Sequence, residues 1–508
     1  MGLWSFYFLG KLFLFLWGAL RFHFFLNLLF IVFLVLPAPK RLPLHRVLKP
    51  GKLVLSFVFG FFLLWYDSYF PPLIYTIRTF QQIGIPEKEY IYRFIINALN
   101  PIAIVILIII LALSIYLNKR IKLTPVVVIL VLLVPLYEFT QKKEGLTEYL
   151  NAFHQSESKR AVSFEQPIIK GPDFDILILH ICSLSWDDLR TVVQENHPFF
   201  REFDILFTNF NSVSSYTNPS AIRLLRANCG QQKHEAIYQD APKECFMLEN
   251  LRSLDYQTHT AIDNDAPAYR FIEDIMNYGR ASAPMSLKGI PVQQYDFDKT
   301  PIYNDLLILE RWWDMRQKSD AERVVLYFDI TTLHGGSHWA QEKDWWKRDR
   351  PTLYKEFLLN LFANLGKFFQ QLESSGRNFV IVFIPEHGIA LRGTSIQAPD
   401  LRDIPLPQIT TIPVGIKFIG PGYYDTPVQQ EIIDKPASYM ALAQILASFL
   451  REPPFGAGGI PIKPYVADLP ETRFVAENQE ALVVKRDSEY YLLGKEKSWS
   501  KLPASVVR

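Results

Sequence analysis

Hydrophobic and polar positions divide the chain into two unlike parts. Residues 3–36 are almost continuously apolar, interrupted by Lys11, Arg21, His23 and Asn27, and further apolar runs cover 53–69, 96–117 and 124–139. A spanning helix needs about 20 such residues. The pattern therefore predicts four or five membrane helices over residues 1–140, the first run being one long helix or two short ones meeting near Gly18 to His23. Lys40, Arg41, Arg46, Lys49 and Lys52 fill the loop before the second run, and Asn118, Lys119, Arg120 and Lys122 follow the third. Cationic loops stay in the cytoplasm, which puts everything after about residue 140 on the other side. No small-residue cleavage site follows a short apolar core, so a removable signal peptide is not expected.

From residue 173 the period changes. Strand-like runs at 174–181, 203–208, 324–330, 378–384 and 412–418 alternate with helical patterns at 219–228, 303–317, 353–374 and 437–450. That alternation predicts an α/β domain over 173–452 with a mostly parallel central sheet and helices on both faces. Residues 141–172 read as a polar linker containing a helix along the membrane surface. Residues 453–508 begin rich in Pro and Gly, end in the hairpin-like ALVVKRDSEYYLLG, and read as a C-terminal extension of the catalytic domain.

Composition adds two points. A net charge of +2, with no long basic tract outside the loops that flank the apolar runs, argues neither for a nucleic-acid nor for an acidic partner, and no nucleic acid is expected. The three cysteines, Cys182, Cys229 and Cys245, all lie in the second part. In an oxidising compartment Cys229 and Cys245 are expected to form a disulfide, leaving Cys182 free as a ligand; three free thiols fit such a compartment poorly.

In an open α/β sheet, ligands bind beyond the carboxyl ends of the strands, and four groups stand there. Cys182 ends the first strand; alone it would read as a small buried hydrophobe. Thr217 precedes Asn218, Pro219 and the helical SAIRLLRANC, a helix start where a phosphate or an alkoxide is favoured. Alone it would read as a cap. Glu386 and His387 follow the apolar NFVIVFIP and precede Gly388, a pairing of metal-ligand types. LHGGSHW brings His334 and His338, suited to phosphate contact or proton transfer. Sulfur, imidazole and carboxylate are the ligand types of zinc, and zinc with an open position lowers the pKa of a bound hydroxyl. Thr217 would then be a nucleophile able to form a covalent intermediate. The aromatic run Trp339, Trp345, Trp346 and Tyr354 is expected to pack on the body of the domain or touch the membrane interface rather than stack on sugar rings.

Membrane helices followed by an α/β domain with a Thr before a helix, a GSH loop and an acid-His-Gly turn resemble the phosphoethanolamine transferases of the alkaline phosphatase/sulfatase superfamily. The strings LHICSLSWDDL, NSVSSYTNPSAIRLLRANCGQ, LHGGSHW and PEHGIALRG are similar to the cellulose-modifying branch, and the likeness covers essentially the whole chain. The resemblance implies a multi-pass protein of the bacterial inner membrane with its catalytic domain in the periplasm. It implies one zinc ion on Cys182, Glu386 and His387, with Thr217 as nucleophile and fourth contact. His338 would bind the transferred phosphate or act as acid/base, and Tyr216, Arg392 and His334 would contact substrate. In the lipid A branch a glutamate stands at the position of Cys182, an aspartate at that of Glu386 and a further His near Arg392. The cellulose branch is expected to carry serine at 217, so Thr217 is a small departure. The implied reaction moves phosphoethanolamine from phosphatidylethanolamine to the 6-hydroxyl of glucose units in nascent cellulose, through a phospho-threonine. Other subunits of the cellulose synthase complex would be partners. The alternatives are lipid A or a periplasmic glucan as acceptor, a phosphatase or sulfatase, and a non-catalytic assembly subunit. In TNPSAIR, Pro219 stands at the offset of a formylglycine sulfatase motif, but no Arg stands at the next position that motif requires.

Overall fold

The computed structural model describes residues 2, 4–36, 45–70, 87–98, 100–141, 144–168, 171–264, 270–421, 429–456, 462–495 and 497–506. Lys40 and Arg41 of the first cationic loop lie outside them. The first apolar run is two helices, α1 (Trp4–Leu16) and α2 (Phe24–Val35). Then follow α3 (His45–Asp67), α4 (Lys88–Ala98), α5 (Pro101–Asn118) and α6 (Leu123–Gln141). Among the described residues, two helical stretches are long and apolar enough to cross a membrane by length and composition, Pro50–Asp67 and Pro101–Asn118, with mean hydropathy 1.2 and 2.6; α1, α2 and Leu123–Phe139 are shorter apolar helices. Their outer faces are bare, with Phe57 64%, Ile102 63% and Leu136 62% exposed, an arrangement water does not favour.

The polar residues that interrupt the first run meet inside this bundle. Lys11 pairs with Asp67 at the end of α3 and donates to Asn27 Oδ1 at 2.7 Å. Asn27 Nδ2 donates at 2.8 Å to Asp67 Oδ2, the oxygen that Lys11 also contacts, and His23 Nδ1 lies 2.6 Å from Oδ1 of the same carboxylate. A charge buried in apolar surroundings is tolerated when its partners are supplied in this way. The network therefore pins α1 and α2 to α3.

The second part contains a seven-stranded sheet in the order β10-β2-β9-β8-β1-β6-β3. Its strands are β1 (Asp175–Ile181), β2 (Ile205–Asn211), β3 (Tyr256–Ile262), β6 (Arg323–Ile330), β8 (Phe379–Pro385), β9 (Thr411–Ile419) and β10 (Glu431–Ile433). β1 is parallel to β6 and β8, β3 to β6 and β10 to β2. β9 alone is reversed, antiparallel to both β2 and β8. The sheet is thus mixed and mostly parallel. Alternate residues of β1 face opposite layers, as a doubly covered strand requires. Ile176 and Ile178 pack with Leu442 and Leu446 of the helix Tyr439–Arg451, while Leu177, Leu179 and Ile181 pack with Leu358 and Leu365 of the helix Arg350–Glu373. A small sheet of β4 (Val292–Tyr295), β5 (Pro301–Tyr303) and β7 (His338–Trp339) sits beside it.

The linker reading needs a correction. Helix α7 (Leu146–Glu157) buries Leu146 and Phe153 against Val475, Val484 and Tyr491, so its apolar face belongs to the folded body and not to a membrane surface. Those partners lie in a four-stranded antiparallel sheet of β11 (Val475–Glu477), β12 (Leu482–Arg486), β13 (Glu489–Leu493) and β14 (Trp499–Lys501). The hairpin read in the sequence is its β12–β13 pair.

Candidate functional site

Strand pairing assembles the first three residues. Ile181 pairs with Pro385 across β1 and β8, and the ladder runs on past both strands. Cys182 N donates to Ile330 O at 2.8 Å and Glu386 N to Ile181 O at 2.8 Å. Cys182, Glu386 and His387 are fully buried, and one ligand atom of each lies within 4.8 Å of the others. Gly388 follows because a Cβ there would sit 2.4 Å from Ser185 Oγ and 2.6 Å from Asp188 Oδ2. Asp188 accepts from Ile389 N at 2.8 Å and Leu391 N at 3.2 Å, fixing the turn. Burial pushes its carboxyl up to about 6.

Thr217 arrives from β2. It is the first residue of α8 (Thr217–Leu225), and Tyr216 caps it without a side-chain bond. Thr217 Oγ1 lies 3.6 Å from Cys182 Sγ, at the positive end of that helix.

Electrostatics in this pocket favour a cation. Burial first, then the carboxylate of Glu386, hold the Cys182 thiol far above its usual range. Burial and the neighbouring Asp329 push the Glu386 carboxyl up as well. Burial and Arg402 push the His387 imidazole well down, so it is neutral. Its Nδ1 lies 3.0 Å from Gly388 O; a proton donated there leaves Nε2 as the lone pair. Nε2 and both Glu386 oxygens are buried and lack a hydrogen bond of ordinary geometry. Such orphaned atoms are costly, and a metal would satisfy all of them. The donor set fits zinc. Behind Glu386, His180 Nδ1 of β1 lies 2.9 Å from Tyr327 Oη and 3.3 Å from Asp329 Oδ2 of β6, a buried polar backing.

The remaining predicted residues are tied to other partners. Tyr216, 38% exposed, donates to Asp403 Oδ1 at 2.8 Å. His334 Nδ1 lies 2.9 Å from Asp296 Oδ2, and its ring stacks on Phe297. His338, on β7, stacks on Trp345 with ring centroids 4.6 Å apart, and burial lowers its pKa. Helix α4 covers this loop: Tyr90 stacks on Phe297, Arg93 lies over Trp345, and Gly336, at φ +92°, leaves room for the Tyr90 ring. The aromatic run packs on the body as expected. Trp339 meets Phe357 edge-on, and Tyr354 donates to Ser183 O at 2.7 Å.

Arg392 does not reach the cluster. It is half-exposed and pairs with Asp187, whose buried carboxylate needs a cation. Arg402 has that position instead: Nη1 lies 3.2 Å from Ser183 Oγ and 3.3 Å from His387 Nδ1. No spacing in the sequence marks it. Cys229 and Cys245 form a disulfide, and Cys182 is free and buried.

Apolar helices joined to an α/β body, with three buried ligand types and a hydroxyl at its carboxyl edge, define a class of membrane-anchored proteins with a candidate metal centre. Family models described as the cellulose biosynthesis protein BcsG N-terminal and C-terminal domains match residues 4–136 and 137–499. The chain belongs to the cellulose biosynthesis protein BcsG family. It is 30% identical to the Escherichia coli (strain K12) cellulose biosynthesis protein BcsG over 538 residues, 96% of this chain and 94% of that protein. Against the Salmonella typhimurium protein the identity is 31% over 540 residues, with the same coverage. Among solved structures, the lipooligosaccharide phosphoethanolamine transferase A (EptA) of Neisseria meningitidis aligns over 84% of this chain and 87% of its own, with 14% identity and a TM-score of 0.44.

Proposed function

We propose that the protein transfers phosphoethanolamine from phosphatidylethanolamine to the 6-hydroxyl of glucose units in nascent cellulose. The observation that carries this reading is the Thr217 hydroxyl, 3.6 Å from the Cys182 thiol, in the site where the Glu386 oxygens and His387 Nε2 are buried without a hydrogen bond of ordinary geometry. The cellulose acceptor is supported by the family, whose named relatives are cellulose biosynthesis proteins. The lipid donor is supported by apolar helices preceding the catalytic body, and the disulfide supports a periplasmic location for that body.

Cys182, Glu386 and His387 would hold one zinc ion, with Thr217 as fourth contact. Bound there, zinc supplies a lowered hydroxyl pKa and neutralises charge on the phosphoryl group. Thr217 Oγ1 attacks phosphorus, and its bond to the diacylglycerol oxygen breaks. The Thr217 proton passes to a base and the diacylglycerol oxygen gains one, leaving phosphoethanolamine on Thr217. In the second half the glucose hydroxyl attacks phosphorus, gives up its proton, and Thr217 leaves with a proton restored. His338 is the acid/base in this reading; His334, oriented by Asp296, stands in the same loop. Arg402 clamps the non-bridging oxygens. The other subunits of the cellulose synthase complex deliver the acceptor.

Peptide mass spectrometry after incubation of the full-length protein with phosphatidylethanolamine tests this. A phosphoethanolamine adduct on Thr217 that disappears with a chelator supports it. Folded, metal-loaded protein that forms no adduct, together with a Thr217→Ala variant that still modifies cellulose, would sink it.

A further inference from the structure

The C-terminal sheet lies against the loop that leads to the nucleophile. β11 runs along the loop that carries the nucleophile: Asn211 Nδ2 donates to Val475 O at 3.0 Å, and Glu477 N donates to Val213 O at 2.7 Å. Val213 has φ +67°, a left-handed conformation that β-branched residues avoid. It persists because its backbone is held on both sides, Asn211 Oδ1 accepting from its N–H at 3.0 Å. Strain of this kind collects at functional loops when the surroundings over-determine it.

Asn478 follows β11 and is 7% exposed. Its Oδ1 accepts from Ser214 Oγ at 3.0 Å and from Ser215 N at 3.3 Å. Its Nδ2 faces Ser215 Oγ at 2.7 Å, Arg402 O at 3.2 Å and Asp403 O at 3.1 Å. Ser214 and Ser215 lead directly into Tyr216 and Thr217; Arg402 is the cation beside His387. The two loops also bind each other, Ser215 Oγ donating to Arg402 O at 2.5 Å. A single amide thus ties the backbone before the nucleophile to the backbone of the arginine, and only an amide offers an acceptor and two donors from one short side chain.

We propose that Asn478 is a positioning residue that sets Thr217 against Arg402, so that the C-terminal extension is a working part of the active site. The inference rests on the transfer reaction proposed above. Asn478 touches neither the reacting atoms nor the metal ligands. Asn478→Ala removes the tie, and Asn478→Asp keeps the acceptor while facing three oxygens with a fourth. Because misplacement by about 1 Å can cost on the order of 100-fold in rate, both variants lose about 10- to 100-fold in the rate of Thr217 modification.

The experiment uses full-length protein in nanodiscs containing phosphatidylethanolamine, comparing wild type, Asn478→Ala and Asn478→Asp. The rate of adduct formation, the donor KM, zinc content and hydrogen exchange are read together. The expected result is a lower rate with KM and zinc content near wild type, and faster exchange confined to residues 211–217 and 400–404. Unchanged rate and exchange overturn the proposal, as does a rate loss that comes with lost zinc or with faster exchange throughout the sheet. If wild type forms no Thr217 adduct while exchange changes as expected, the tie stands and the transfer reading fails.

Discussion

On one side of Thr217 the site is built from strand ends, and on the other from loops held by side chains. Cys182 and Glu386 extend the paired strands β1 and β8, with backbone bonds of 2.8 Å continuing the ladder, so their positions follow from sheet register. Ser214, Ser215, Arg402 and Asn478 come from three loops and meet through side-chain bonds. The difference assigns the two sides different work. A rigid edge suits metal ligands, which tolerate little displacement; tied loops can align a nucleophile and a phosphate clamp around it.

The largest effect belongs to the residue between the sides. Thr217→Ala is expected to lower cellulose modification by at least about 10,000-fold, as loss of a covalent nucleophile does, while zinc content stays near wild type. Zinc lost in parallel with activity would mean that Thr217 is structural to the edge. On the rigid side, Cys182→Ala should cut apparent zinc affinity by more than the roughly 10- to 100-fold seen when a supporting residue is lost; metal analysis after dialysis measures it.

pH sharpens the same contrast. Without metal the raised Cys182 and Glu386 groups hold their protons, whereas the depressed His387 holds none to release. Zinc uptake must therefore displace two protons. Affinity rises with pH, by about 100-fold per unit while both groups are protonated. Competition titrations with a chromophoric chelator across several pH values would show it, and a slope near zero would mean the pair is already ionised.

The rigid side was legible because its information is local. Apolar β-branched runs end at Cys182 and at Glu386, and parallel pairing brings such ends together. Thr217 was legible as a helix start. Strand direction was not: the run 411–419 reads as another strand whether or not it is reversed, since periodicity carries no sense of direction. β3 and the three-residue β10 escaped notice as well, the first being interrupted by Gln257, Thr258 and His259. Helix α7 has an apolar face, and a sequence does not say whether lipid or protein covers it; here Val484 and Tyr491 do. Arg402 and Asn478 sit in loops whose course is set by contacts more than 70 residues away in the chain, so no nearby spacing marks them.

On the loop side, Arg402→Ala should slow Thr217 modification by about 10- to 100-fold, removing a charge-assisted contact worth about 1.5–3 kcal/mol, with zinc still bound. Steady-state kinetics with a fluorescent phosphatidylethanolamine measures it. A variant that loses zinc instead would place Arg402 with the ligands, through its contact to His387.

The smallest effect is the most discriminating. Arg392 and Arg402 lie ten positions apart in one loop region, and the motif alone favours Arg392. In the fold Arg392 is 53% exposed and committed to Asp187, a carboxylate that Arg190 also faces at 3.6 Å, so the exposed arginine contributes about 0–1 kcal/mol. Arg392→Ala should leave the rate within about twofold of wild type. A loss as large as that of Arg402→Ala would show that Asp187 releases its partner when substrate binds, and the clamp would then belong to both arginines.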